Sequence, residues 1–172
     1  MPTLFLVRHA EPMQTGVILG QLDPPLSERG RAEAVNIWRD RAPLAVVYSS
    51  PLLRAIETAE LIGAAPVEIL DDLREIGYGA WDGKTWAEIE AADAVLAHRK
   101  QADWTGVTPP GGENWETFRA RVAQAGKRIL EGPFPCAVVA HAAVNAVLVS
   151  ILTGADPLQF QQDYGEVLAI DL

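Results

Sequence analysis

Cationic side chains follow several apolar runs of this 172-residue sequence, at positions where they could bind one anion together. Arg8 and His9 follow the first run. Arg54 lies one turn into the helix predicted after the second, and His141 follows the fourth. Guanidinium groups donate hydrogen bonds in a planar fork that matches the oxygens of phosphate or carboxylate. If these positions meet, two guanidinium groups and two imidazoles face one point, and a tetrahedral oxyanion is the occupant that fits.

The apolar runs themselves are predicted to be buried strands. They are short, rich in β-forming residues and ended by polar or turn-prone residues. The segments between these runs are predicted to be helices, because they have apolar residues at helical spacing or begin after a capping residue such as Ser27 or Asn114. We expect strands over 3–8, 44–49, 67–70, 137–141 and 166–172. We expect helices over 28–41, 51–63, 85 or 86 to 100, 115–130, 143–152 and, in a short form, 156–162.

The alternation of strands with helices predicts the fold class. No tight Asn-Gly or Asp-Gly hairpin joins the main strands, which favours a mostly parallel central sheet in a three-layer α/β/α sandwich. At this length residues 1–172 are expected to form a single domain. Ligands of such sheets bind beyond the carboxyl ends of the strands, where the cationic residues lie.

Composition excludes several classes of partner. The formal net charge of −9, from 14 Lys and Arg against 23 Asp and Glu, disfavours nonspecific binding to nucleic acid or to an anionic membrane. Cys136 is the single cysteine, and no Lys or Arg precedes the first apolar run as a signal peptide requires. We therefore expect a cytoplasmic protein with no nucleic-acid or membrane partner, and the sequence leaves the oligomeric state open.

Metal and nucleotide motifs are missing from the sequence. It contains no His-x-His, Cys-x-x-Cys or His-Glu-x-x-His spacing and no P-loop. Arg8 beside His9 would also repel a cation. We expect no metal and no cofactor.

Six segments carry a family resemblance. They read LVRHAEP over 6–12, DPPLSERG over 23–30, SSPLLRAIETA over 49–59, LREIGYGAWDG over 73–83, PPGGE over 109–113 and VVAH over 138–141. In this order they resemble the histidine phosphatase superfamily, which is also called phosphoglycerate-mutase-like. The resemblance spans nearly the whole chain.

The resemblance implies a role for each cationic residue. His9 would attack phosphorus and become transiently phosphorylated, and Arg8, Arg54 and His141 would hold the phosphoryl oxygens. Glu75 would give a proton to the leaving oxygen. Three other carboxylates stay open as alternatives for this acid: Glu11, Asp82 and Glu113.

The sequence departs from the family pattern around the phosphate. Thr15 stands where many members have a phosphate-contacting Asn, and Ala142 and Ala143 replace a common Gly-Gly pair. We expect Thr15 and the start of the helix at Ala142 to contact phosphate, since N–H groups at a helix N-terminus bind anions whatever the side chain.

These observations predict a metal-independent phosphomonoesterase that hydrolyses a small phosphorylated metabolite through a phosphohistidine intermediate. Two alternatives stay open: phosphoryl transfer of the phosphoglycerate-mutase type, and a catalytically weak module of the same fold that binds a phosphorylated ligand. We expect the surface that selects the substrate to lie within 80–112.

Overall fold

A five-stranded sheet forms the centre of residues 2–172, the part of the chain that the computed structural model describes. The strands are β1 (Thr3–Arg8), β2 (Val46–Ser49), β3 (Val67–Ile69), β4 (Cys136–Ala140) and β5 (Val167–Asp171), in the order β3-β2-β4-β1-β5. The first four strands are parallel, and β5 pairs antiparallel with β1. The predicted mostly parallel sheet is confirmed.

Six α-helices and three short 3-10 turns connect and cover the strands within residues 2–172. The helices are α1 (Glu28–Ala34), α2 (Leu53–Ile62), α3 (Trp86–Ala92), α4 (Ala94–Ala102), α5 (Trp115–Leu130) and α6 (Ala142–Thr153). The 3-10 turns span Asp71–Leu73, Gly79–Trp81 and Pro157–Gln159.

Both faces of the sheet are covered by helices, which gives the predicted three layers. On one face, Phe118 and Val122 of α5 and Val147 of α6 pack against β1, β2 and β4. On the other face, Ala55 and Ala59 of α2 pack against the same strands. Inside the sheet, β2 and β4 are buried along their whole length, as strands covered on both faces are, whereas the edge strands β3 and β5 are partly exposed.

Three predicted helices differ from what their sequence patterns indicated. Regular helix ends at Ala34, and the chain continues in single turns in which Ile37 N–H donates to the Ala34 carbonyl. The single helix predicted to run to residue 100 is broken at Asp93, whose extended backbone (φ −156°, ψ 86°) separates α3 from α4. The Asp93 carboxylate accepts the Leu96 N–H and caps α4, a start signal of the kind that Asp provides. The helix predicted over 156–162 is one 3-10 turn.

The register of the parallel strands brings their ends to one level. Arg8 pairs with Ala140, the His9 N–H donates to the Ala140 carbonyl at 2.9 Å, and the Ser50 N–H donates to the Val139 carbonyl at 3.0 Å. The residues that follow β1, β2 and β4 therefore meet at one edge of the sheet.

No helix within residues 2–172 is long and apolar enough to cross a membrane.

Candidate active site

His9 has one ring nitrogen anchored and the other free. Nδ1 lies 2.8 Å from the carbonyl oxygen of Ala10, and because a carbonyl only accepts, Nδ1 carries the proton. Nε2 then keeps its lone pair. Burial of the ring, together with the charges of Arg54 and Arg8, lowers the His9 pKa from 6.5 to about 3. His9 is therefore a neutral imidazole with an available nucleophilic nitrogen.

His141 lies beside His9 at the end of β4. The two ring centroids are 5.1 Å apart, and the Nε2 atom of His141 is 2.7 Å from Ser50 Oγ. Its buried Nδ1 has no hydrogen-bond partner among residues 2–172. Burial, reinforced by His9 and Arg54, holds the His141 pKa well below its usual value. A buried polar atom without a partner is costly, so this nitrogen is suited to meet a ligand oxygen.

Arg54 is buried and held by backbone carbonyls. Its Nη1 donates to the Leu22 carbonyl at 2.8 Å and its Nη2 to the Gly20 carbonyl at 3.1 Å. Its buried Nε has no partner in the described chain. A guanidinium carries five N–H donors, so those not bound to carbonyls remain for an anion.

Arg8 is fixed by the segment before β5. Its Nη1 donates to the Gln162 carbonyl at 2.7 Å, and its guanidinium carbon lies 4.1 Å from the ring centroid of Tyr164. Its Nε is likewise buried without a partner within residues 2–172. Stacking on Tyr164 orients the fork while leaving donors free.

Glu75 is a buried carboxyl group in the same cavity as His9. Its Oε1 accepts the Ile76 N–H at 2.9 Å. Burial raises the Glu75 pKa, although that hydrogen bond and the charges of Arg54 and Arg8 act in the opposite direction. A carboxyl group with a raised pKa keeps its proton to a higher pH, as a general acid must.

Arg121 of α5 holds the backbone around Glu75, and sequence reasoning did not identify it. Its Nη1 donates to the Asp72 and Arg74 carbonyls at 2.9 and 2.6 Å, and its Nη2 donates to the Glu75 carbonyl at 3.0 Å. Two further bonds, each 2.7 Å, join it to the Glu113 carboxylate. The only hint in the sequence is the position of an arginine two helical turns after PPGGE.

The alternative carboxylates are occupied by other contacts. Glu113 pairs with Arg121, and Glu11 accepts the Ser27 hydroxyl at 2.8 Å. Neither lines the cavity of His9. Of the four acids that the sequence left open, Glu75 is the one that lines it.

Asp82, the third alternative, binds the loop whose carbonyls hold Arg54. Its carboxylate accepts the N–H groups of Gly20, Gln21 and Leu22 at 2.8, 2.6 and 2.9 Å. The carbonyls of Gly20 and Leu22 bind Arg54, so Asp82 shapes the loop that orients this guanidinium. Gly20 is required here because a Cβ would lie 2.6 Å from the Ile76 carbonyl oxygen.

Arg8, His9, Arg54 and Glu75 line a cavity of about 250 Å³, whereas His141 lies beside His9 and is not part of the lining. The cavity is lined by Arg8, His9, Val17, Ile18, Leu19, Arg54, Glu75, Tyr78, Trp104, Ala142, Ala143 and Tyr164. Ala142 lies where expected, at the first turn of α6. Thr15 is exposed and is not part of the lining. The structure does not bring Thr15 to the cavity, and its contact with phosphate stays a prediction.

Within residues 2–172, no three His, Cys, Asp or Glu side chains lie together as metal ligands.

Comparison with known sequences identifies a family. Residues 4–171 match the sequence model of the histidine phosphatase superfamily (branch 1). The adenosylcobalamin/alpha-ribazole phosphatase of Escherichia coli K12 is 30% identical over 181 residues, which cover 98% of this chain and 89% of that protein. The glucosyl-3-phosphoglycerate phosphatase of Mycolicibacterium vanbaalenii is 36% identical over 174 residues, which cover 88% of this chain and 74% of that protein.

A bifunctional protein of Mycobacterium tuberculosis is 37% identical over 137 residues, which cover 75% of this chain. Those residues are only 37% of that relative, so the chain spans little more than a third of its length.

Solved structures agree with the sequence comparison. The crystal structure of a putative alpha-ribazole-5′-P phosphatase from Escherichia coli superposes with a TM-score of 0.89 at 28% identity, covering 98% of this chain and 89% of that one. A mycobacterial glucosyl-3-phosphoglycerate phosphatase gives a TM-score of 0.84 at 28% identity, with the same coverage.

Proposed function

The chain belongs to the histidine phosphatase superfamily, and on that premise we propose that it hydrolyses a small phosphomonoester through a phosphohistidine at His9. The observation that carries the proposal is the state of His9: its Nδ1–H is fixed on the Ala10 carbonyl, and its Nε2 is free in a cavity that two arginines line. Relatives named as phosphatases of alpha-ribazole and of glucosyl-3-phosphoglycerate support a small phosphorylated metabolite as substrate.

In the first step, the lone pair of His9 Nε2 attacks phosphorus. A nitrogen–phosphorus bond forms while the bond from phosphorus to the ester oxygen breaks, and the Glu75 carboxyl group gives its proton to the departing oxygen. Covalent catalysis of this kind divides one difficult displacement into two easier ones. The carbonyl of Ala10 stabilises the positive charge that develops on the ring.

Arg8, Arg54 and His141 bind the phosphoryl oxygens during this step. The arginines serve two purposes: they keep the free imidazole neutral, and they offset charge on the equatorial oxygens in the transition state. Because their guanidinium groups are already fixed by Tyr164 and by backbone carbonyls, little reorganisation is needed when phosphate binds.

In the second step, water attacks the phosphohistidine. The Glu75 carboxylate accepts a proton from the water, the nitrogen–phosphorus bond breaks, and inorganic phosphate leaves. Glu75 is again protonated and His9 is again neutral, so the cycle closes without a net change in either residue.

Trapping the intermediate tests this proposal. We expect hydrolysis of p-nitrophenyl phosphate between about pH 5 and about pH 7 with a chelator present, and a phosphoenzyme that is labile to acid and stable to base. His9→Ala should remove both the turnover and the label while the melting curve stays cooperative. Turnover by His9→Ala near the wild-type rate would show that another group attacks phosphorus. If the protein binds phosphate but hydrolyses no ester, the alternative of a catalytically weak module that binds a phosphorylated ligand would replace this proposal.

A further inference from the structure

The cavity at His9 adjoins a second depression. This groove of about 410 Å³ lies beside the first turns of α6, and Trp104, Ala142 and Ala143 line both spaces. The cavity alone is smaller than the usual range of roughly 300–1,000 Å³ for sites that hold a drug-sized ligand. A larger substrate that extends from the cavity past these three residues therefore lies in the groove.

The groove has apolar and aromatic walls, and we call it the aromatic groove. Gln101 is the one polar side chain of its lining in the described chain; the other lining residues are Trp104, Trp115, Ala142, Ala143, Ala146, Pro157, Leu158 and Phe160. No ionisable side chain belongs to its lining in the described chain. Such a surface favours an uncharged group, because burying a charge without a partner is costly.

Trp104 is the wall that both spaces share, and it is held in place. The ammonium group of Lys100 lies 4.7 Å from the Trp104 ring centroid. The same group donates to the Trp104 carbonyl, and to the Val107 carbonyl at 2.7 Å. The ring of Trp86 lies 6.4 Å away on the α3 side. A fixed aromatic side chain loses little rotamer freedom on binding, which favours affinity.

The charges near the cavity limit the substrate further. The cations in its lining are Arg8 and Arg54, which lie at the phosphoryl position. Lys100, which lies behind Trp104, is 3% exposed and gives its N–H groups to carbonyls. Within residues 2–172, neither lining therefore offers a further cation to a carboxylate or a second phosphate on the substrate.

Building on the phosphatase activity proposed above, we propose that the aromatic groove binds the leaving group of the substrate, and that this group is uncharged and carries a planar aromatic ring. The phosphoryl group lies at His9, and the ester oxygen points past Ala142 and Ala143 toward the groove. The ring packs on Trp104, with Phe160 and Trp115 further along the walls.

A matched pair of esters tests the groove. Naphthylethyl phosphate and ethyl phosphate release primary alcohols of similar acidity and differ in the ring. We expect the aromatic ester to have the higher kcat/KM by about 10-fold or more, chiefly through KM, as an aromatic contact and its buried area predict. Phosphoglycerate, which carries a carboxylate, should be hydrolysed less efficiently than ethyl phosphate.

Variants of groove residues test whether the preference for the aromatic ester arises in the groove. Trp104→Ala should reduce the kcat/KM ratio of the two esters by about 10-fold, and Trp104→Phe should restore most of it. Leu158→Ala should reduce the ratio by a smaller factor. Leu130→Ala is the matched control for Leu158→Ala. Leu130 is 42% exposed and Leu158 is 49% exposed, but Leu130 lies at the end of α5 that is remote from the groove, so its variant should keep the wild-type ratio.

Binding of phosphonates separates this proposal from the phosphatase proposal. Naphthylethylphosphonate and ethylphosphonate have no ester bond to hydrolyse, and calorimetry gives the ratio of their Kd values. The protein could hydrolyse no ester and still prefer the aromatic phosphonate, with Trp104→Ala removing that preference. Such a result would overturn the proposed activity but keep the groove as a ligand site. Hydrolysis with no aromatic preference, a ratio unchanged in Trp104→Ala, or faster hydrolysis of phosphoglycerate would overturn the groove proposal.

Discussion

Arg121 contacts Glu75 through the main chain and not through the carboxylate: its Nη2 lies 3.0 Å from the Glu75 carbonyl oxygen. The same guanidinium binds two further carbonyls of the loop and forms a two-pronged ion pair with Glu113. The Glu75 carboxyl group, whose Oε1 accepts only the Ile76 N–H, is thus not bound by Arg121, while the backbone that carries it is fixed. Arg121 is a positioning residue for the proposed acid.

Replacing Arg121 should therefore affect protonation of the leaving group. We expect Arg121→Gln to lower kcat for alkyl phosphates by about 10-fold or more and to lower it less for p-nitrophenyl phosphate, whose leaving group needs no proton. Arg121→Lys should not restore activity, because an ammonium group lacks the planar fork. Arg128→Gln is the control, because Arg128 lies on the same helix as Arg121 and forms an exposed ion pair with Glu68 of β3. Equal losses for both substrates would mean that Arg121 acts on the fold alone.

Glu75→Gln tests the acid directly. The amide preserves the shape of the side chain but cannot give up a proton, so we expect kcat for alkyl phosphates to fall by about 10²–10⁴-fold. Loss on p-nitrophenyl phosphate should be smaller, because its leaving group needs no proton, and the alkaline limb of the pH profile for alkyl phosphates should disappear. If that limb remains in the variant, another group donates the proton.

Stability should fall in acid because two histidines are buried in the neutral form. The folded-state pKa values of His9 and His141 are lowered, so the unfolded chain binds more protons as pH drops. For His9 the loss runs from about pH 6.5 to about pH 3. Each histidine removes up to about 1.4 kcal/mol of unfolding free energy per pH unit in its window. Glu75, whose folded-state pKa is raised, acts with the opposite sign as its carboxylate takes up a proton.

Urea unfolding at about pH 7 and about pH 5 measures this dependence. His141→Gln should flatten it, because the substitution removes a buried neutral imidazole. An equally steep slope in His141→Gln would place the sensitivity elsewhere.

Asp82 should matter for phosphate affinity although it does not line the cavity. Asp82→Ala removes the acceptor of three N–H groups in the loop that holds Arg54, so we expect the inhibition constant of inorganic phosphate to rise by about 10-fold through loss of a charge-assisted contact. Asp93→Ala is the matched control. It removes a helix cap at a cost of about 1 kcal/mol in stability, and it should not change that constant. Similar changes in both variants would reduce the role of Asp82 to general stability.

The sequence predicted those parts of the site that directly follow a strand. Arg8, His9 and His141 each end or follow a strand, and a parallel register places such positions at one edge whatever the loops do. Thr15 was assigned to phosphate from the family pattern alone. It lies in a long loop, where the path of the chain depends on contacts that periodicity does not encode.

Long-range loop contacts account for most of what sequence reasoning missed. Tyr164 and Val17 reach the cavity from segments without periodic signals. The aromatic groove that we propose for the leaving group takes Trp104 from within 80–112, Ala143 from α6 and Phe160 from just after the turn Pro157–Gln159. That the substrate is selected within 80–112 stays a prediction. The break at Asp93 had a local signal, because Asp is a preferred cap, yet apolar spacing on both sides favoured one continuous helix.

The antiparallel pairing of β5 with β1 joins the first strand to the last. Arg8 receives its stacking partner Tyr164 and its Gln162 contact from the segment just before β5, and its carbonyl accepts the Gly165 N–H at 3.0 Å. The orientation of the Arg8 guanidinium therefore depends on how β5 docks against β1, although Arg8 and its contacts in that segment are more than 150 residues apart in the sequence.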